Sequence, residues 1–154
     1  MYDFDVNDRI LVPIDGSRLS RRALEVALSE YSDAEILALH VIDPTEPGYS
    51  VADVEYHAEV EPRHGSTEWY DRAHELGEEV LEEARELAEE YEVDLETETA
   101  VGRPDREILA YAEGEDVDHI VMGSHGRGED SPILLGSVTE AVAFRAPVRV
   151  SLIR

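Results

Sequence analysis

Glycine and hydroxyl residues that could bind an anion are concentrated in two short segments of the last third of the sequence. They are Gly123-Ser124-His125-Gly126-Arg127-Gly128 and Gly136-Ser137. Backbone N–H groups beside glycine can approach phosphate oxygens closely, because no side chain lies in the way. A helix that begins near Ser137 would add the partial positive charge of its amino end. The two segments therefore predict a site for a phosphate-bearing ligand.

The spacing of apolar residues predicts the elements that must position these segments. Residues 9–14, 35–42, 94–100, 119–122 and 148–153 have the apolar or alternating composition of strands. Helical spacing extends over residues 18–31, 66–91 and 104–114 and begins again at residue 137. Ser17 is the predicted N-cap of the first helix, with Ser20, Arg21 and Arg22 facing solvent. Ser137 and Glu140 form an S-x-x-E capping box for the last helix.

The order of these elements predicts an α/β fold of one domain over residues 1–154. We expect an open parallel five-stranded sheet with helices on both faces, joined by right-handed crossovers, and residues 94–100 near a sheet edge. Residues 43–65 are expected to form a long loop with a helical turn near Val54. Ligands of such sheets bind outside the carboxyl ends of the strands, where strand order reverses. Residues 13–15, residues 40–43 and the glycine-rich loop should meet there.

The charge balance limits the classes of partner. Asp and Glu number 37 against 13 basic residues, all of them arginine, so the net charge is -24. Such a surface repels nucleic acid. The absence of lysine resembles proteins of salt-accumulating halophiles, and an acidic mesophilic protein is the alternative. With no cysteine, no apolar run of membrane-spanning length and no leader-like start, we expect a cytoplasmic protein without disulfides or membrane contact.

Three segments in register resemble the universal stress protein family. Gly123-x2-Gly126-x9-Gly136-Ser137 resembles the family's nucleotide-binding signature. Residues 10–17 resemble its opening strand and turn, residues 123–128 resemble its phosphate loop, and residues 134–138 resemble the start of its final helix. The resemblance covers nearly the whole chain and implies a Rossmann-like fold of the adenine nucleotide α-hydrolase type.

The resemblance also implies roles for particular residues and a ligand. The adenine and ribose end would be lined by Asp15 and Val41, with walls from Pro13, Ile14 and Met122. The ribose and phosphates would be held by Gly123, Gly126, Arg127, Gly136, Ser137 and Val138. The implied ligand is ATP, or AMP, with Mg²⁺ carried by the phosphates rather than by a protein metal site. The family resemblance further implies a homodimer joined through the strand from Val148 to Ile153, and a protein partner that the sequence does not identify.

Structural explanations compete with several of these assignments. The glycines could serve only as turn residues, Ser137 only as an N-cap, and Asp15 only as a cap of the first turn. His57 and His64 with Glu59 and Glu61 suggest a metal site, but their spacing matches no standard zinc pattern, and none is predicted.

Three functions follow from these readings. The first is an ATP-binding stress-response regulator that acts as a homodimer. The second is an interaction or chaperone-like dimer with an empty site, suggested by Glu129 and Asp130 between the glycines. An ATPase or nucleotidyl transferase has the least support, because a chain without lysine has no Walker lysine, so at most a weak ATPase activity is expected.

Overall fold

A computed structural model describes residues 8–45, 64–125 and 135–154 of the protein. In chain order, its elements are β1 (Arg9–Pro13), α1 (Arg18–Glu30), β2 (Glu35–Ile42), α2 (Thr67–Glu90), β3 (Leu95–Val101), α3 (Pro104–Gly114), β4 (His119–Gly123), α4 (Ser137–Arg145) and β5 (Arg149–Ile153). Every predicted strand and helix is present within a residue or two of its predicted bounds. Residues 46–63, which include the helical turn predicted near Val54, lie outside the described residues.

The five strands form one parallel sheet in the order β3-β2-β1-β4-β5. From β1 the chain first adds strands on one side, β2 and then β3, and afterwards on the other side, β4 and then β5. The strand order therefore reverses between β1 and β4, which leaves a crevice at their carboxyl ends. The predicted α/β fold class is confirmed, and β3 lies at a sheet edge as expected.

Helices cover both faces of the sheet, because alternate residues of the central strands are apolar on each side. One core joins Ile10 and Val12 of β1 to apolar residues of α1 and α2, including the fully buried Trp69. The other core joins Leu11 to α3 and α4. No helix in the described ranges is both long and apolar enough to cross a membrane.

His40 connects the packing of α2 to the loop that follows β1. Its imidazole is fully buried, and its Nδ1 lies 3.0 Å from the carbonyl oxygen of Ile14. Gly77 of α2 faces this ring, since a Cβ at Gly77 would lie only 2.7 Å from His40 Cδ2. Glycine there lets α2 pack against the ring.

The last strand, β5, lies at the other edge of the sheet and is only half-buried. His119 of β4 connects to it, with its Nε2 lying 2.8 Å from Ser151 Oγ. Burial lowers the pKa of His119, and the nearby Arg149 lowers it further, so the neutral ring is favoured there.

Gly123, the last residue of β4, packs directly against α1. A Cβ placed on Gly123 would lie 2.9 Å from Leu19 Cβ and 3.0 Å from the carbonyl carbon of Leu19. Backbone atoms cannot move aside as the end of a flexible side chain can. Close packing between strand and helix therefore explains this glycine, rather than the turn that the sequence suggested as an alternative.

We predict that Gly123→Ala lowers the free energy of unfolding by about 1–3 kcal/mol, because α1 and β4 must separate. The matched control is Gly114→Ala, at the end of α3, where an added Cβ would meet nothing within 4 Å. That variant should be neutral or stabilised by up to about 1 kcal/mol through the higher helix propensity of alanine. Denaturant unfolding in concentrated potassium chloride measures both. Equal stability of the two variants would contradict this explanation of Gly123.

Candidate functional site

A cavity of about 310 Å³ lies at the carboxyl ends of β1, β2 and β4, at the point where strand order reverses. This volume is near the lower end of the roughly 300–1,000 Å³ of small-molecule sites. The loop after β1, the end of β2, the end of β4, the start of α3 and the start of α4 form its walls. Residues 13–15, the end of β2 and the described start of the glycine-rich loop, which were expected to meet at this edge, do meet there.

Nine of the eleven predicted site residues line this cavity. From β1 and β2 and the loop after β1 come Pro13, Ile14, Asp15 and Val41. From β4 and α4 come Met122, Gly123, Gly136, Ser137 and Val138. The remaining two, Gly126 and Arg127, lie outside the described residues.

The turn between β1 and α1 places Asp15 at the cavity, and local side-chain hydrogen bonds hold this turn. Asp15 Oδ1 accepts a hydrogen bond from the backbone N–H of Ser17 at 2.9 Å, and Gly16 between them has a φ of 83°. Ser17 Oγ in turn accepts from the Ser20 N–H at 3.3 Å, which makes Ser17 the N-cap as predicted. Asp15 therefore both shapes the turn and lines the cavity, so the two roles suggested by the sequence do not exclude each other.

The predicted solvent-facing position of Ser20 is wrong. Ser20 is buried and lines the cavity, whereas Arg21 and Arg22 are exposed as expected. Its hydroxyl donates to the Ser17 carbonyl at 3.0 Å and accepts from the Asp15 N–H at 3.3 Å. These bonds draw the side chain into the turn, where its polarity is satisfied.

The predicted capping box at Ser137 and Glu140 is also wrong. The N-cap of α4 is Gly136, and Ser137 is the first helical residue, with an exposed side chain. The reason is a tertiary bond, since the Gly136 N–H donates to the Ser124 carbonyl at 2.8 Å and fixes Gly136 in an extended conformation. No side chain in the described part of the chain caps this helix. Its first turn therefore faces the cavity with its positive end uncapped.

The two ends of the cavity differ in polarity. Asp15 and Asp43 place carboxylates near the ends of β1 and β2, and Asp43 Oδ1 accepts from the Thr45 N–H at 2.9 Å and the Thr45 hydroxyl at 2.6 Å. On the side of β4, the cavity is lined by the amino end of α4 and His125. Apolar side chains from several elements line the rest of the cavity. Among the described residues, no arginine lines the cavity.

Sequence reasoning missed part of the wall. Pro104 and Ile108 of α3 line the cavity beside Leu39, and Thr139 of α4 lines it beside Ser137. The rule that ligands bind at the carboxyl ends of strands, applied also to β3, would have indicated the start of α3. Thr139 carried no comparable signal, because its role depends on a contact with a distant strand.

The described ranges contain no cluster of metal-binding side chains. No group of three or more His, Asp or Glu side chains there is arranged to hold an ion. His64, one of the residues considered for a metal, instead hydrogen-bonds the Pro44 carbonyl and packs edge-on against Trp69 with ring centroids 4.6 Å apart. His57, Glu59 and Glu61 lie outside the described residues.

A family model and the sequences of known proteins both match this chain and agree on one family. The model of the universal stress protein family matches residues 7–154. Universal stress protein MJ0531 of Methanocaldococcus jannaschii is 34% identical over 149 residues, which cover 95% of this chain and 81% of that protein.

Solved structures share the fold. The structure of MJ0577 from Methanocaldococcus jannaschii superimposes with a TM-score of 0.76 at 30% identity, covering 97% of this chain and 96% of that one. The universal stress protein from Archaeoglobus fulgidus in complex with dAMP has a TM-score of 0.68 at 21% identity, covering 97% of this chain and 100% of that one. At this identity the similarity shows the shared fold alone. The Rossmann-like sheet, its helices and the family match agree, and the chain belongs to the universal stress protein family.

Proposed function

We propose that this protein binds an adenine nucleotide in the cavity and acts as a nucleotide-dependent regulator of a stress response. The ligand is ATP with Mg²⁺ on its phosphates, or AMP. The observation that carries the proposal is the polarity of the cavity, with carboxylates after β1 and β2 and, beside β4, a helix start that no described side chain caps. An adenine nucleotide has the matching polarity, with an amino group on the base and anionic phosphates at the far end.

The end near β1 and β2 suits the base and ribose. The carboxylates of Asp15 and Asp43 are acceptors, and the exocyclic amino group of adenine is a donor. Val41, Ile108 and Met122 supply apolar surface for the faces of the rings. The small volume of the cavity fits a nucleoside, and the phosphates would extend past the start of α4.

The end near β4 and α4 suits the phosphates. The first-turn N–H groups of α4 and its dipole favour negative charge, as at other helix N-termini that bind phosphate. Because Gly136 is the N-cap, the Ser137 hydroxyl has no capping bond to make and is available as a further donor. Gly126 and Arg127 would complete this end. Mg²⁺ would arrive with the triphosphate, since the described residues offer no three-ligand cage.

The fold and the family support this ligand, and one sequence feature favours a different function. The Archaeoglobus fulgidus protein, which has the same fold, is in complex with dAMP. Against this, Glu129 and Asp130 would bring two carboxylates close to the phosphates. They favour the second candidate, an interaction or chaperone-like dimer with an empty site. Measured binding of a nucleotide distinguishes the two.

The proposal includes a homodimer joined through the residues from Val148 to Ile153. Within the described residues, β5 pairs only with β4, so its other edge has free backbone groups. The Ser124 N–H donates to the Ile153 carbonyl at 2.8 Å, so Ile153 turns its backbone groups toward β4. Since these groups alternate along a strand, those of Val150 and Leu152 point to the open edge. A second copy could pair there.

We predict that Ser137→Asp weakens binding of AMP at least about tenfold and leaves adenosine binding within about twofold, because the new carboxylate repels phosphate. An acidic residue in the first turn also favours the helix, so stability should not fall. The control is Ala143→Asp, which adds the same charge at an exposed position of α4 away from the cavity. Isothermal titration calorimetry measures both ligands. Unchanged AMP affinity in Ser137→Asp would contradict the phosphate position, and no binding by the unmodified protein would favour the empty-site dimer.

We predict that Val150→Pro converts the dimer to a monomer of unchanged fold, because proline removes an N–H that points to the open edge and not to β4. Val150→Thr keeps that N–H and is the control. Sedimentation velocity in concentrated potassium chloride reports the mass, and circular dichroism reports the fold. A monomeric unmodified protein, or a dimeric Val150→Pro variant, would rule out this interface.

A further inference from the structure

Thr139 joins the two segments that border the phosphate end of the cavity. It is the third residue of α4, it is 3% exposed, and its Oγ1 donates a 2.9 Å hydrogen bond to the carbonyl oxygen of Gly123. A threonine inside a helix commonly turns its hydroxyl to a carbonyl three or four residues earlier in that helix. Here the acceptor is 16 residues away, on β4. The hydroxyl therefore makes a tertiary link between β4 and α4.

Two further hydrogen bonds join the backbone next to Gly123 to neighbouring elements. The Gly136 N–H donates to the Ser124 carbonyl at 2.8 Å, and the Ser124 N–H donates to the Ile153 carbonyl at 2.8 Å. Both join backbone groups, so substitution of a side chain does not remove them. The bond from Thr139 is the member of the set that a substitution can delete.

We propose that Thr139 is a positioning residue, which holds the first turn of α4 at the distance from β4 at which its N–H groups meet a phosphate. This inference rests on the proposed function. Without the hydroxyl, the Gly123 carbonyl loses its partner at a buried position, and α4 must shift or admit water to satisfy it. A site whose donors are already in place pays less to bind its ligand. The base end, formed by Asp15 and Val41, does not depend on this bond.

The test compares Thr139→Val, which keeps the shape and removes the hydroxyl, with Thr139→Ser, which keeps the hydroxyl. By calorimetry, Thr139→Val should bind AMP about fivefold or more weakly, the usual effect of one hydrogen bond, and adenosine within about twofold of the unmodified protein. Thr139→Ser should restore AMP binding to within about twofold. Equal losses for AMP and adenosine, or no loss for either, would overturn the proposal.

A second readout needs no ligand. In the free protein, Thr139→Val should raise amide hydrogen exchange about fivefold or more at Gly136 and Glu140, whose N–H groups donate at 2.8 Å and 2.9 Å near the start of α4. Exchange at Ile14, whose N–H donates to the Leu39 carbonyl at 2.8 Å, should not change. Unchanged exchange at Gly136 and Glu140 would overturn the positioning role. If the unmodified protein binds no nucleotide, the proposed function fails, and this exchange experiment still decides whether Thr139 holds α4 in place.

Discussion

The backbone at Gly123 and Ser124 is the constraint on which the site depends, because three other elements are fixed against it. Leu19 of α1 packs so closely on Gly123 that a Cβ added to Gly123 would lie 2.9 Å from the Cβ of Leu19. The backbone of Ser124 is hydrogen-bonded to Ile153 at the end of β5 and to Gly136 at the start of α4. The backbone bond between Gly136 and Ser124 and the side-chain bond from Thr139 to Gly123 join α4 to this same stretch of backbone. A site whose donors are held in place before the ligand arrives pays less to bind it.

The sequence predicted most of the fold, because its strands and helices carry strong local patterns. The central strands are apolar runs buried on both faces, and α2 has one apolar stripe against a face of glutamates. Pro104 at the start of α3 and Gly114 at its end mark that helix correctly. The rule that ligands bind where strand order reverses predicted which segments lie at the cavity, and the resemblance to the family supplied the individual site residues.

One error arose where a more distant contact overrode a local pattern, and the other where a side chain completed a local turn. Ser137 and Glu140 match a capping box, but the bond between Gly136 and Ser124 starts α4 with Gly136 as its cap. Ser20 was expected to face solvent because it lies outside the apolar stripe of the helix, yet its hydroxyl completes the turn at Asp15. The contact between Gly136 and Ser124 leaves no trace in sequence spacing. The same holds for Thr139, whose hydroxyl has its partner on another strand.

The central claim is that a protein of net charge -24 binds an anionic ligand. The most direct test is to identify the ligand that the purified protein retains. The protein would be purified in multi-molar potassium chloride, where charges are screened within about 3 Å. It would then be denatured, and the released small molecules identified by chromatography and mass spectrometry. We predict ATP or AMP in near-stoichiometric amount, or saturable uptake of added Mg-ATP by protein that has lost it. Protein that releases no adenine nucleotide and takes up none would contradict the claim.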